Sequence, residues 1–126
     1  MVRELPQSFD DKKPIYIQVR DRLEDMIVKG QLEEGAQAPS TTEMASFYKI
    51  NHITVGKGVN QLVDEGVLFK RRGIGMFVAE GAREKLLENR TQTFAEEYIQ
   101  PMLEEAEKLE LTKEEIIEQI NQELRK

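Results

Sequence analysis

Apolar residues along the chain change their spacing at definite points, and those points mark out the elements. Ile15, Val19, Leu23, Met26 and Ile27 recur at intervals of three and four after Pro14, a residue suited to a first helical turn. They predict a helix that Gly30 ends, with Arg20, Asp21, Arg22, Glu24 and Asp25 facing water and Tyr16 in the core or at its rim. Gln31 to Pro39 is a connecting loop containing Gly35. Ser40-Thr41-Thr42-Glu43 then spells a capping box, in which the serine hydroxyl accepts from the third backbone N–H and the glutamate reaches back to the cap. Met44, Ala45 and one of Phe47 or Tyr48 supply the buried side of that short helix.

Lys49 and Ile50 separate it from the next cap, Asn51. Val55, Val59, Leu62 and Val63 form the apolar face of the following helix, and Gly66 lies just past its end. Two helices joined this tightly must cross steeply, the helix-turn-helix arrangement. Next come two β-prone runs, Val67-Leu68-Phe69 and Met76-Phe77-Val78-Ala79, flanking Lys70-Arg71-Arg72-Gly73-Ile74-Gly75. Such a pattern predicts a hairpin with three cations at its tip. A helix-turn-helix followed by a basic hairpin is a winged helix, whose natural ligand is DNA.

The rest of the chain is helical in pattern. Leu87, Phe94, Tyr98, Met102 and Leu109 make one stripe, broadened by Leu86, Ala95, Ile99, Leu103 and Ala106. Pro101 should kink or break this helix because it lacks a backbone donor. A second capping box, Thr112-Lys113-Glu114-Glu115, opens a last helix with Ile116, Ile117, Ile120 and Leu124 on its apolar side. Two helices of this size cannot enclose their own stripes, since a unit of about 40 residues is marginal alone. The stripes must find the winged domain or, as the expectation favours, a second copy, with Leu87, Phe94, Tyr98, Met102, Leu109, Ile116 and Ile120 in the contact. The fold class expected is therefore mainly α with a small β-hairpin: residues 1–13 a flexible arm, 14–80 a winged helix-turn-helix domain and 81–126 a helical dimerisation segment.

Charge changes this picture only after it is divided. The whole chain of 126 residues carries −6. Residues 1–79 hold 11 Lys/Arg against 11 Asp/Glu, residues 80–126 hold 7 against 13, and residues 45–79 hold 5 against 2. The acid lies in the tail, and a phosphate backbone feels local charge within a Debye length of roughly 8–10 Å. Cysteine is absent, which excludes disulfides and thiolate chemistry and fits a reducing cytoplasm. No run approaches a membrane span of about 18 apolar residues, and no signal-peptide pattern opens the chain. His52 is the single histidine, with no Cys to share a metal, so neither a metal site nor a catalytic role is expected of it. No phosphate-binding loop or nucleophile elbow is present, and Gly73-x-Gly75 lacks the third glycine and following helix of a dinucleotide site. The chain reads as neither an enzyme nor a cofactor protein.

Gly30-x-Leu32, Gly35, Pro39-Ser40, Met44-Ala45, Thr54-Val55, Leu62, Glu65-Gly66 and the wing Gly73-x-Gly75-x-Phe77-Val78 resemble the GntR family of bacterial transcription regulators. The resemblance covers about half of the chain, from Ile15 to Ala79. The family's usual large effector-binding domain does not fit in the remainder, which looks like the YtrA-type branch with its pair of dimerising helices. The resemblance implies a cytoplasmic homodimeric repressor on double-stranded DNA, at an inverted-repeat operator. Many members carry arginine where this chain has Thr42, His52 and Gly56, Thr or Ser in place of Met76, and Leu in place of Ala38. Gly58 falls where the family has a small residue packed against the preceding helix. The expected DNA contacts are Ser40, Thr41, Thr42, Asn51, His52, Thr54, Val55, Lys57 and Gln61 from the helix pair, and Lys70, Arg71, Arg72, Gly73 and Gly75 from the wing.

The effector, if there is one, is not legible. So short a tail leaves little room for a pocket of the usual 300–1,000 Å³, and no deep cavity is expected within it. The rival reading is a protein-interaction module: a winged helix whose acidic tail binds another protein, and which no longer binds DNA strongly because the arginines are missing.

Overall fold

A computed structural model describes Phe9 and residues 12–126; most of the expected N-terminal arm lies outside the described residues. The chain divides into two compact units, one ending at Leu87 and one spanning Glu88–Lys126. The fold class is the one the sequence predicts, mostly helical with a two-stranded antiparallel hairpin.

In the first unit α1 (Ile15–Val28), α2 (Thr41–Tyr48) and α3 (His52–Asp64) precede strands β1 (Leu68–Arg71) and β2 (Gly75–Val78). Both caps expected here form. Glu43 N–H donates to the Ser40 hydroxyl at 3.0 Å while Ser40 N–H donates to the Glu43 carboxylate at 2.9 Å. Ile53 N–H donates to the Asn51 side chain at 2.6 Å. The tight turn between α2 and α3 requires Lys49 to adopt the left-handed region, φ 58°, and the Ile50 N–H closes α2 on the Ala45 carbonyl at 3.1 Å.

The core is built from one face of each helix: Val19, Leu23 and Ile27 of α1, Met44 and Ala45 of α2, Val55, Val59 and Leu62 of α3, sealed by Leu68 and Val78 of the hairpin. Tyr48 rather than Phe47 takes the buried aromatic position. Two departures from the sequence expectation have clear causes. Ile15, at the first position of α1, stays exposed at the helix end, on a turn where only Tyr16 and the residues after it meet α3. Glu24, expected in water, is 7% exposed. Arg20 pairs with it at 3.1 Å, so its charge is compensated where it is buried.

The hairpin pairs Leu68 with Val78, Phe69 with Phe77, Lys70 with Met76 and Arg71 with Gly75. It is backed by the loop before α2, whose Ala38 N–H donates to the Met76 carbonyl at 2.8 Å and whose Ala36 carbonyl accepts from Val78 N–H at 2.9 Å.

Helix α4 (Ala82–Phe94) starts within the first unit. Ala82 and Leu86 belong to its core, and the Glu34 carboxylate accepts from Gly81 N–H at 2.9 Å, capping the helix from the loop. Lys85 reaches the Glu65 carbonyl at the C-terminal end of α3, 2.8 Å away. The boundary drawn at 80/81 from the sequence thus falls short of the division at Leu87, because the cap and the two apolar contacts that anchor α4 are long-range and leave no local signal.

In the second unit, the disturbance expected at Pro101 takes the form of a change of helix type just before it. The chain widens into one π-helical stretch, Ala95–Ile99, before continuing as α5 (Gln100–Lys108). The Gln100 N–H bonds the Ala95 carbonyl, five residues back instead of four. A proline has no N–H to lose and its ring clashes with the carbonyl four residues earlier, so a wide turn just before it relieves both faults. Glu110, at φ 56°, reverses the chain, and Leu111 N–H donates to the Ala106 carbonyl at 3.0 Å. The second capping box forms as predicted, Glu115 N–H to the Thr112 hydroxyl at 3.1 Å and Thr112 N–H to the Glu115 carboxylate at 2.9 Å, and opens α6 (Lys113–Leu124).

Candidate nucleic-acid interface

Helix α3 shows two opposed sides. Val55, Gly58, Val59 and Leu62 are buried. At about 3.6 residues per turn, positions 53, 56, 57 and 60 fall on one stripe directly opposite Leu62. These are Ile53, Gly56, Lys57 and Asn60, of which three are exposed and Gly56 is half-buried. Val55, expected among the DNA contacts, is 0% exposed and cannot reach a ligand; its own periodicity placed it in the core.

Thr54 and Gln61 lie on the flank of α3 turned to α1. Thr54 is half-buried, and the Gln61 side-chain oxygen accepts from Arg20 at 3.2 Å. Arg20 also pairs with Glu65 at 3.2 Å. One guanidinium therefore fastens α1 to the C-terminal end of α3 through two partners, Gln61 and Glu65, while also pairing with Glu24 on its own helix. This linkage engages the Gln61 side-chain oxygen within the fold. Closer to the helix start, α1 and α3 touch backbone to backbone. A Cβ added at Gly58 would stand 2.5 Å from the Tyr16 carbonyl oxygen, so the small residue packs against α1 and not against α2. The Lys57 ammonium sits 4.1 Å above the Tyr16 ring. That cation–π contact draws the lysine toward α1 and explains Tyr16 as a rim residue.

Of the remaining expected contacts on the helix pair, Ser40, Thr42, Asn51 and His52 are exposed and Thr41 is half-buried. The Ser40 and Asn51 side chains are already engaged as caps. No group of His, Cys, Asp and Glu among the described residues is placed to hold a metal ion.

The wing corrects one detail. Lys70 and Arg71 belong to β1, and only Arg72 of the three cations is in the turn, beside Gly73 and Ile74. All three are exposed. Because side chains alternate along a strand, Arg71 shares a face with Phe69 and Phe77. The two rings stack at 5.8 Å and the Arg71 guanidinium lies 5.4 Å from the centre of Phe77. Gly75 is half-buried, and its φ of 142° suits glycine; a Cβ there would meet the Gln37 amide nitrogen at 2.6 Å. That same amide donates to the Ile74 carbonyl at 3.0 Å and braces the wing tip. Gly73 is open to solvent on the turn.

Residues 15–78, from α1 to the end of β2, match the profile of the bacterial regulatory proteins of the gntR family. The chain belongs to the GntR family. Among its relatives is the HTH-type transcriptional regulator YhcF of Bacillus subtilis (strain 168), 31% identical over 116 residues, which are 92% of this chain and 94% of that one. The transcriptional repressor YtrA of the same organism is 30% identical over 91 residues, 72% of this chain and 70% of its own. A crystal structure of a GntR-family transcriptional regulator from Bacteroides thetaiotaomicron is 32% identical and superposes with a TM-score of 0.71 over 88% of this chain and 96% of that one. This GntR-family chain is a DNA-binding transcription regulator, and its relatives are regulators rather than enzymes. Among its described residues no helix is long and apolar enough to cross a membrane.

Sequence reasoning missed two members of the outward stripe of α3, Ile53 and Asn60. The signal was present: both lie half a turn from the buried positions, and a helical wheel centred on Leu62 selects them together with Lys57.

The second unit carries the residues expected at a subunit contact, except Leu87, which ends the first unit. Phe94 is 52% and Tyr98 65% exposed, and their rings lie 5.7 Å apart. Leu87, Met102, Leu109 and Ile120 are also exposed, and Ile116 is half-buried. Between α5 and α6 runs an open apolar groove of about 460 Å³, lined by Met102, Ala106, Leu109, Ile116, Ile120 and Leu124. It is a groove open to solvent along exposed apolar side chains.

Proposed function

We propose that the protein is a homodimeric repressor that binds an inverted-repeat operator. Each subunit places the outward stripe of α3 in a major groove and its wing along the adjacent backbone or minor groove. The observation that carries this reading is the division of α3 into a buried face and an exposed stripe, next to a wing with three exposed cations. Repression is the activity named for YtrA. The exposed side chains of the second unit, Phe94, Tyr98 and Leu109 foremost, are the surface through which two copies associate. A two-fold dimer sets half-sites about one turn apart, roughly 34–36 Å.

The rival reading, a protein-interaction module, draws on the missing arginines and on Lys57 being turned toward Tyr16. Salt separates the two. Binding through phosphates weakens steeply as salt rises, whereas a packed helical interface does not. The test is titration of an operator selected from random DNA, and of a scrambled duplex, at several salt concentrations. Arg71→Ala and Arg72→Ala are expected to weaken binding to both duplexes alike and to flatten log affinity against log salt by about one unit for each phosphate no longer neutralised. Unchanged affinity and slope in both variants would remove the wing from the DNA contact and favour the protein-interaction reading. Lys57→Ala is expected to weaken operator binding more than scrambled binding, by roughly 1–3 kcal/mol where the ammonium leaves Tyr16 for a base edge. An equal loss on both duplexes would make Lys57 a backbone contact.

A further inference from the structure

Ile53 is 80% exposed, the most exposed of the large apolar side chains among the described residues. A single exposed isoleucine is ordinary on most surfaces. This one stands on the first turn of α3, on the stripe opposite the core, and a second observation adjoins it. One turn on, at Gly56, the helix carries no side chain, and a Cβ placed there would meet nothing within 4 Å. The fold therefore gives no reason for glycine at 56, and in a helix interior glycine costs about 1 kcal/mol against alanine. Side chains on a helix lean toward its N-terminus, so a side chain at 56 would lie over the backbone beside Ile53, and glycine leaves that strip bare. Lys57 does not fill that strip, because its ammonium rests on Tyr16. The result is an apolar wall with a methyl-sized recess next to it, on the side of the helix that faces away from the protein.

Of the base edges in a major groove, thymine alone presents an apolar group, its 5-methyl. We propose that Ile53 and Gly56 form an apolar notch that reads a thymine 5-methyl group, Ile53 by contact and Gly56 by letting the base edge approach the backbone. The proposal rests on the DNA-binding reading above and names what one part of that surface recognises.

The experiment uses the full-length protein and its selected operator, with each thymine replaced in turn by deoxyuridine, which removes the methyl group and leaves the pairing edge intact. At one thymine in each half-site the replacement is expected to weaken binding about fourfold, the effect of one buried methyl-sized group. Ile53→Ala is expected to weaken binding to the thymine operator and to be indifferent to uridine at that same position. The variant should fold, since the side chain it trims is exposed and alanine favours a helix. Gly56→Ala is expected to raise the denaturation midpoint yet bind the operator less well than the unmodified protein does. Full affinity for every uridine-substituted operator would overturn the notch, as would an Ile53→Ala protein that keeps the methyl dependence. Equal binding of operator and scrambled duplex by the unmodified protein is a different outcome, and it would remove the DNA reading itself.

Discussion

A chain carrying both Phe94→Glu and Tyr98→Glu is expected to be monomeric at micromolar concentration, where the unmodified protein is expected to be a dimer, and to lose tight operator binding while its winged unit stays folded. The two rings lie one turn apart, 5.7 Å between centres, and more than half of each is exposed. Substitution there removes little packing from the subunit and adds two charges to any surface that covers it. Joining two half-site modules multiplies affinity by about 10²–10⁴ without a new contact, so separating them should cost that factor. Light scattering reports the mass, circular dichroism the retained helix, and titration the affinity. A monomeric mass for the unmodified protein would sink the dimer. A dimeric mass for the double variant would move the interface elsewhere.

The second large effect comes from two glycines on the same helix. Gly58→Val is expected to destabilise the first unit by about 1–3 kcal/mol or more, as overpacking does. The added Cβ would lie 2.5 Å from the Tyr16 carbonyl oxygen, a backbone atom held within α1 that cannot swing aside. Relief requires α1 and α3 to move apart, which also disturbs the Arg20 linkage to Gln61 and Glu65. Gly56→Ala, two residues earlier, meets open space and is expected to stabilise the helix by up to about 1 kcal/mol. Urea denaturation of the two variants beside the unmodified protein gives the comparison. A Gly58→Val protein with an unchanged midpoint would show that the helix crossing is looser than its geometry implies.

Local chemistry was legible in the sequence where distant chemistry was not. The capping boxes of Ser40 with Glu43 and Thr112 with Glu115 each lie within one turn, and both form as read. The core face of α3 follows from periodicity alone, and periodicity was the better guide to Val55 than the family motif in which it sits. What escaped depends on partners far along the chain. The burial of Glu24 rests on Arg20, which is itself held from α3, and the occupation of Gln61 has the same source. The anchoring of α4 rests on Glu34, some 47 residues before the N–H it accepts from. Pro101 announced a disturbance, but its form depends on which hydrogen bonds the neighbouring backbone can exchange.

The wide turn at Ala95–Ile99 bears on how such a tail can diverge between lineages. Phe94 and Met102 are eight residues apart and Met102 and Leu109 seven. The π stretch absorbs one residue, so both steps amount to the same two turns and the three side chains stay in line. Loss of the extra residue alone would strand Pro101 inside an ordinary helix, at about 3 kcal/mol or more. Loss of the proline alone would free the turn to tighten and swing Met102 and Leu109 about 100° around the axis. Only the double event is silent. Descent in this segment should therefore run by paired changes, with helix length and the proline gained or lost together.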